Sequence, residues 1–186
     1  MGRAARLATI AGKVTSPMKI ALLFIFLASP AFAQCNAGES TFMSCQIKDN
    51  SKSVAVCYDD TTAYYRFGPT GQPPELSLQV TIADLDYRPW NGTGGGVWEE
   101  VAFVNNNYEY AVHGGVELAR GDNFFEDAAT QKFGAVRVAR DGTIFLDLDC
   151  GDATVTFVPD LYLWNAKESL GLVWDYDVRK WVAQSD

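Results

Sequence analysis

The sequence predicts a mainly β protein: an antiparallel β-sandwich or small β-barrel of about eight strands, with a short C-terminal helix. Three observations predict it. Residues 75–82 alternate strictly between apolar and polar, which marks a strand with one buried and one wetted face. Short runs rich in Val, Ile, Phe, Tyr and Thr recur at even spacing between turn residues from residue 41 to residue 158, as in sandwiches and closed barrels. The stretch from Pro159 to Gly171 carries the proline-first, glycine-last punctuation of a helix.

Taken in chain order, Thr41–Ile47 and Val54–Tyr58 flank the polar turn 48–53. Pairing Ile47 with Val54 puts Met43, Cys45, Ile47, Val54, Val56 and Tyr58 on one face. A one-residue slip would scatter them, so the apolar pattern sets the face. Ala63–Phe67 is a short aromatic strand, followed by the Gly-Pro loop 68–74. In Glu75–Ile82, Leu76, Leu78, Val80 and Ile82 form the buried row. Trp98–Val104 and Tyr108–His113 make a hairpin around Asn105-Asn106-Asn107, because Asn tolerates the left-handed conformation of a tight turn. Residues 114–132 are acidic and loop-like and contain Phe124-Phe125. Gly134–Ala139 and Thr143–Cys150 form a hairpin at Asp141-Gly142. A three-residue loop with a bulge at Gly142 would set Val138 against Ile144 and Val136 against Leu146. Ala153–Val158 is one more strand. A helix is expected over Asp160–Leu170, and an aromatic tail over Leu172–Val182 that packs back on the sheet.

The chain has 186 residues, 48% of them apolar and 20% charged, a globular balance with enough length for a real core. Residues 1–33 hold Arg3, Arg6, Lys13 and Lys19 and no acid, then the apolar run Ile20–Ala28 and the A-x-A box at 31–33. This reads as a signal peptide cleaved after Ala33, since the run is shorter than the ~20 apolar residues of a membrane span. Met18 is a second candidate start. The three expected units are a signal peptide at 1–33, an antiparallel β domain at 34–158 and a helix with an aromatic tail at 159–186.

The mature chain 34–186 would carry 11 Lys+Arg against 23 Asp+Glu. That acidity argues against nucleic acid and against stable insertion in a membrane after processing, and suits a basic protein of the cell envelope as partner. Cys35, Cys45, Cys57 and Cys150 all lie in the exported part. An even number in an oxidising compartment reads as two disulfides, and the absence of any C-x2-C pair argues against zinc. The register of the first hairpin disfavours Cys45–Cys57. The other two connectivities each tie Cys150 back to that hairpin.

No motif names a substrate, and no cofactor or metal is expected. The loop Asn91-Gly92-Thr93-Gly94-Gly95-Gly96 lacks the lysine and the strand–turn–helix setting of a phosphate-binding loop. With Trp90 and Trp98 at its ends it is a candidate recognition element, and Trp90, Asn91, Gly94, Gly95, Gly96 and Trp98 are the candidate binding residues. The competing reading makes both tryptophans core anchors of a long hairpin loop. Asp147, Asp149 and Asp152 could offer oxygen to calcium, yet they alternate with Ile144, Leu146 and Leu148 and read better as a solvated face. Glu99, Glu100 and Glu109 are the candidate acids for glycoside hydrolysis. His113 shares a face with Glu109 and Ala111 and reads as exposed. With one His in the chain and no G-x-S-x-G, a serine triad is not marked.

Phe42-x-x-Cys45, Lys52-x-Val54-x-Val56-Cys57, Tyr65-Arg66-Phe67-Gly68, Pro74-Glu75-Leu76, Tyr108-x-Tyr110-x-Val112 and Gly134-Ala135-Val136 through Gly142 to Cys150 resemble a loose group of uncharacterised bacterial periplasmic β-proteins, over about residues 41–150. The architecture is also similar to that of bacterial periplasmic lysozyme inhibitors, although their Ser-Gly-x-x-Tyr type motif is not in this sequence. The resemblance implies a periplasmic or secreted home and a small β-fold. The reading that follows is an exported, disulfide-bonded, non-enzymatic binding protein. Inhibition of a cationic cell-wall hydrolase such as lysozyme is the alternative, and a carbohydrate hydrolase using acids near the Gly-rich loop is the second.

Overall fold

A computed structural model describes residues 34–117, 131–159 and 161–184. The proposed signal peptide, Phe124-Phe125 and Asp160 lie outside the described residues. The strands are β1 (Ser40–Gln46), β2 (Lys52–Tyr58), β3 (Thr62–Pro69), β4 (Leu76–Thr81), β5 (Asp86–Arg88), β6 (Gly96–Asn105), β7 (Tyr108–Glu117), β8 (Lys132–Arg140), β9 (Thr143–Asp149), β10 (Thr156–Phe157), β11 (Leu172–Asp175) and β12 (Lys180–Ala183), with the helix α1 at Tyr162–Ser169. One sheet has the order β10-β1-β2-β3-β4 and a second β5-β6-β7-β8-β9, all pairs antiparallel, and β11-β12 is a separate hairpin. The two sheets do not close into a barrel; the protein is a sandwich.

The core lies between the sheets and is built by alternation. Met43, Cys45, Ile47, Val54, Val56 and Tyr58 are all buried in it, as their shared face requires. The register of that hairpin is Cys45 opposite Val54 and Met43 opposite Val56. It differs by two residues from the expected Ile47–Val54 pair and so keeps the same face inward. From the second sheet come Tyr87, Val101, Phe103, Val112 and Val136. Tyr65 meets Phe103 and Tyr110, both with ring centroids 5.7 Å away.

Two disulfides pair Cys35 with Cys57 and Cys45 with Cys150. The second joins β1 of one sheet to the residue that follows β9 of the other, at an isolated bridge between Ile47 and Cys150. Covalent pairing of this kind suits an oxidising compartment. No helix among the described residues is long and apolar enough to cross a membrane.

Some expectations differ in detail. Arg140 pairs with Thr143, so Asp141-Gly142 is a two-residue turn. Both residues are left-handed (φ 49° and 78°), as a type I′ turn demands. The register then shifts between Val138 and Ala139, which sets Val138 against Leu146 and Val136 against Leu148. The extra residue needed to turn the apolar row inward is absorbed at Phe145 instead of in the loop. β7 continues through Glu117 and β8 starts at Lys132, narrowing the expected 114–132 loop from both ends. Ala153–Val158 becomes a 3-10 turn, Asp152–Thr154, and the two-residue β10.

The tail packs on the second sheet. Trp181 stacks on Tyr87 (5.9 Å between centroids) and donates from Nε1 to the Tyr87 carbonyl at 2.8 Å. Lys167 of α1 is buried at 2% exposure and donates to the carbonyls of Ala83 (2.8 Å) and Leu85 (2.6 Å), fixing the helix to the β4–β5 connection. Burial pushes its ammonium down to about 8, against the pull of Asp86 and Asp84.

Candidate functional site

The outer face of the second sheet is assembled by strand alternation. Trp98, Glu100 and Ala102 alternate outward on β6, against the inward Val101 and Phe103. Register lines them up in rows: Trp98 with Gly115 and Phe133, Glu100 with Arg88 and His113, and Ala102 with Asp86, Ala111 and Arg137. Gly115 gives the first row its shape. A Cβ there would lie 2.3 Å from Cζ of Phe133, so only a residue without a side chain lets that ring lie across the strand. His113 is flanked by two rings, Trp98 at 5.2 Å and Phe133 at 5.5 Å between centroids. Burial there lowers its pKa from the ordinary value, against the pull of Glu100, so the imidazole is neutral at pH 7. It is therefore half-buried and stacked, not exposed as the sequence suggests.

Charged side chains floor the same face. Arg88 donates to Glu100 at 2.5 Å, to Asp86 and to Glu109 at 3.3 Å. Arg137 lies 3.9 Å from Glu100 and 3.6 Å from Asp147, in ion-pair range but without a hydrogen bond among the described residues. Ala102 and Ala111 face outward yet are 3% and 4% exposed, small residues in the row that carries Asp86 and Arg137.

The β11–β12 hairpin supplies the far wall. Its turn is closed by Asp175 Oδ1, which accepts from the backbone N–H groups of Asp177 and Val178. Trp174 packs on Trp181 at 5.7 Å between centroids, and Trp181 also meets Trp164 of α1 at 5.0 Å. Between floor and wall runs a groove of about 650 Å³, bordered by Trp98, Glu100, Arg137, Trp174, Tyr176 and Arg179 among others, within the size range of small-molecule sites. Arg179 makes no ion pair among the described residues.

The residues singled out in the sequence divide here. Trp98 and Asn91 line this groove. Trp90 faces a neighbouring cavity of about 410 Å³ with Tyr87, Glu99 and Trp164, and its Nε1 donates to the Thr93 carbonyl at 2.8 Å. Asn91 Oδ1 accepts from the N–H (3.1 Å) and hydroxyl (2.8 Å) of Thr93, a side-chain turn that ties down the base of the loop. Gly94 and Gly95 are exposed with nothing within 4 Å, while Gly96 opens β6 where a Cβ would meet the Val116 carbonyl at 2.7 Å. The loop thus straddles the edge of the sheet instead of forming one patch.

The candidate acids also separate. Glu99 points inward and accepts from the Tyr87 hydroxyl at 2.7 Å, whereas Glu100 and Glu109 share the Arg88 guanidinium outside. Asp147 faces Arg137, and Asp152 accepts from Gln131. Among the described residues the His, Cys, Asp and Glu side chains that come within ligand distance as a group are Cys35, Glu39 and Cys57, and both sulfurs are spent in a disulfide. Alternation could have placed Trp98, Glu100 and His113 on one face. Nothing in the sequence places Trp174, Tyr176 and Arg179 opposite them, because that depends on how the tail folds over.

No protein family, curated protein or solved structure matches this chain. The fold and the site define a disulfide-bonded antiparallel sandwich with an aromatic and cationic groove on one outer face.

Proposed function

We propose that this is an exported, non-catalytic binding protein whose ligand lies in the groove over β6, β7 and β8. The observation that carries the reading is the trio of Trp98, Trp174 and Tyr176 around a polar floor. Such rings offer large, rigid contact area at small entropic cost. The acids support binding over hydrolysis. A glycosidase needs two carboxyl groups facing one scissile bond, but Glu99 is on the other side of the sheet, and Glu100 and Glu109 are bridged by one arginine. The two disulfides and the acidic mature chain support a periplasmic or secreted home.

The test is tryptophan fluorescence and thermal shift against a panel of sugars and small organic acids. A ligand should protect the wild type and Trp90→Ala but not Trp98→Ala. If no ligand acts, or if Trp90→Ala abolishes the effect and Trp98→Ala does not, the groove is not the site.

Inhibition of a cationic cell-wall hydrolase such as lysozyme is the second reading. It is supported by the excess of acids and by Phe145 and Leu146, exposed at 58% and 40% on the edge strand β9. It calls for a stoichiometric, salt-sensitive complex with lysozyme that Phe145→Ser weakens.

A further inference from the structure

The groove borrows its cations from a chain that has few. The mature segment holds 11 Lys+Arg against 23 acids, and yet Arg88, Arg137 and Arg179 all border this one groove. They are not equivalent. Arg88 is consumed by Asp86, Glu100 and Glu109. Arg137 approaches its acids no closer than 3.6 Å, and Arg179 has no acid partner among the described residues. Two guanidinium groups with uncommitted N–H donors therefore lie on one groove, beside indole and phenol faces. The guanidinium fork matches a carboxylate, two donors to two oxygens. The indole faces match the C–H face of a saturated ring. Asn91, Glu100 and the neutral His113 add donors and acceptors suited to hydroxyl groups.

We infer that the ligand is an acidic sugar, a pyranose ring bearing a carboxylate, whose ring lies against Trp98 or Trp174 and whose carboxylate is held by Arg137 and Arg179. This deepens the binding reading above and rests on it. A polyanion such as nucleic acid is disfavoured by the surrounding negative charge, whereas one carboxylate per ring is compatible with it. A purely aromatic acid suits an enclosed apolar pocket; this groove is open, and its floor is charged.

The experiment is calorimetric or NMR titration of the disulfide-intact protein with short galacturonate and glucuronate oligomers, the matching neutral galactose and glucose oligomers, and benzoate. The acidic oligomers should bind, with shifts at Trp98 and Trp174, and the neutral counterparts should bind at least about tenfold more weakly, the loss expected for one charge-assisted contact. Added salt should weaken the acidic oligomers and leave the neutral ones unchanged. Arg179→Gln, on an exposed turn, should remove most of the preference for acid over neutral while Trp98→Ala removes both. Equal binding of acidic and neutral oligomers, or an unchanged preference in both Arg137→Gln and Arg179→Gln, overturns the inference and leaves the groove a sugar site. Tighter binding of benzoate than of any oligomer overturns it in favour of an aromatic acid. No response at Trp98 or Trp174 to any of these probes overturns the groove as a binding site and this inference with it.

Discussion

Both sheets of the sandwich have an outer face covered by a chain end, and the covers are fastened differently. Over the first sheet, the segment before β1 is held by the Cys35–Cys57 disulfide and by Glu39, which accepts from both guanidinium nitrogens of Arg66 at 2.6 and 2.7 Å and from Asn36 at 2.8 and 3.0 Å. Both carboxylate oxygens of Glu39 are matched there. Over the second sheet, the β11–β12 hairpin is held at one edge by Trp181 on Tyr87 and Trp164, and the rest stands off the sheet. The first cover closes the sheet around Cys57 and Arg66, and a smaller recess of about 260 Å³ remains beside Gln34, Ser44 and Ser53. A cover fastened at one edge leaves a groove, and the groove is where arginine donors stay free. Tight pairing on one face and loose pairing on the other separate the part that holds the fold from the part proposed to bind.

The largest expected effect breaks the frame that both covers share. Cys45–Cys150 closes 105 residues of chain and Cys35–Cys57 closes 22. In the chain-entropy view, the first should contribute about 4–5 kcal/mol and the second about 3 kcal/mol. Urea unfolding of the paired Ala variants should therefore place the Cys45/Cys150 pair lower. The opposite order would mean that the clamp over the first sheet, not the tie between sheets, dominates.

Next comes the fastening of the open cover. Trp181→Ala removes a stacked ring and a donor to the Tyr87 carbonyl. For a half-buried tryptophan this should cost about 3 kcal/mol, the low end for a core aromatic. The same variant should expose the hairpin to limited proteolysis and abolish groove binding, because Trp174, Tyr176 and Arg179 move with it. A destabilised protein whose hairpin stays resistant would show that other contacts hold the cover.

A smaller effect distinguishes the closed cover by pH. Burial pushes the Glu39 carboxyl up, but the bonds from Arg66 and Asn36 outweigh it and hold the pKa below its ordinary 4.5. A carboxyl depressed in the folded state adds stability above its unfolded value and loses it as pH falls through the folded one. The wild type should thus lose stability relative to Glu39→Gln as pH falls below about 4.5. Parallel unfolding curves for the two proteins from pH 6 to pH 3 would remove Glu39 from the clamp.

How legible this was in the sequence follows the same division. The strands and hairpins of both sheets are local: period-two rows such as Leu76-x-Leu78-x-Val80 and the turn pairs Asn106-Asn107 and Asp141-Gly142 declare them within a few residues of themselves. The disfavoured Cys45–Cys57 pair followed from the same alternation, and it is absent. β5 was not legible, since three residues, Asp86–Arg88, carry no period. The groove was half legible. Trp98 and Asn91 border the loop that the tryptophans mark, but Trp90 is separated from Trp98 by the thickness of the sheet edge. The wall residues lie over 70 positions away in sequence, and the docking of Trp181 against Tyr87 and Trp164 brings them near.

The smallest effect compares the two arginines directly. Arg66 and Glu39 are 13% and 10% exposed at the side chain, with two short bonds between them. Arg137 and Asp147 are 44% and 53% exposed and 3.6 Å apart. An exposed, unaligned pair gains little, because water screens it and two long side chains lose rotamer freedom to hold it. Double-mutant cycles should therefore return a coupling of about 1–3 kcal/mol for Arg66/Glu39 and less than about 0.5 kcal/mol for Arg137/Asp147. Arg137→Gln should leave the unfolding midpoint almost where it was while weakening whatever ligand the groove retains. That combination is what a residue kept for binding must give, since only two weak, unaligned ion pairs are lost when it goes. A coupling for Arg137/Asp147 as large as that for Arg66/Glu39 would mean that the second sheet is held by its outer ion pairs after all, and the contrast between a closed face and an open one would fail.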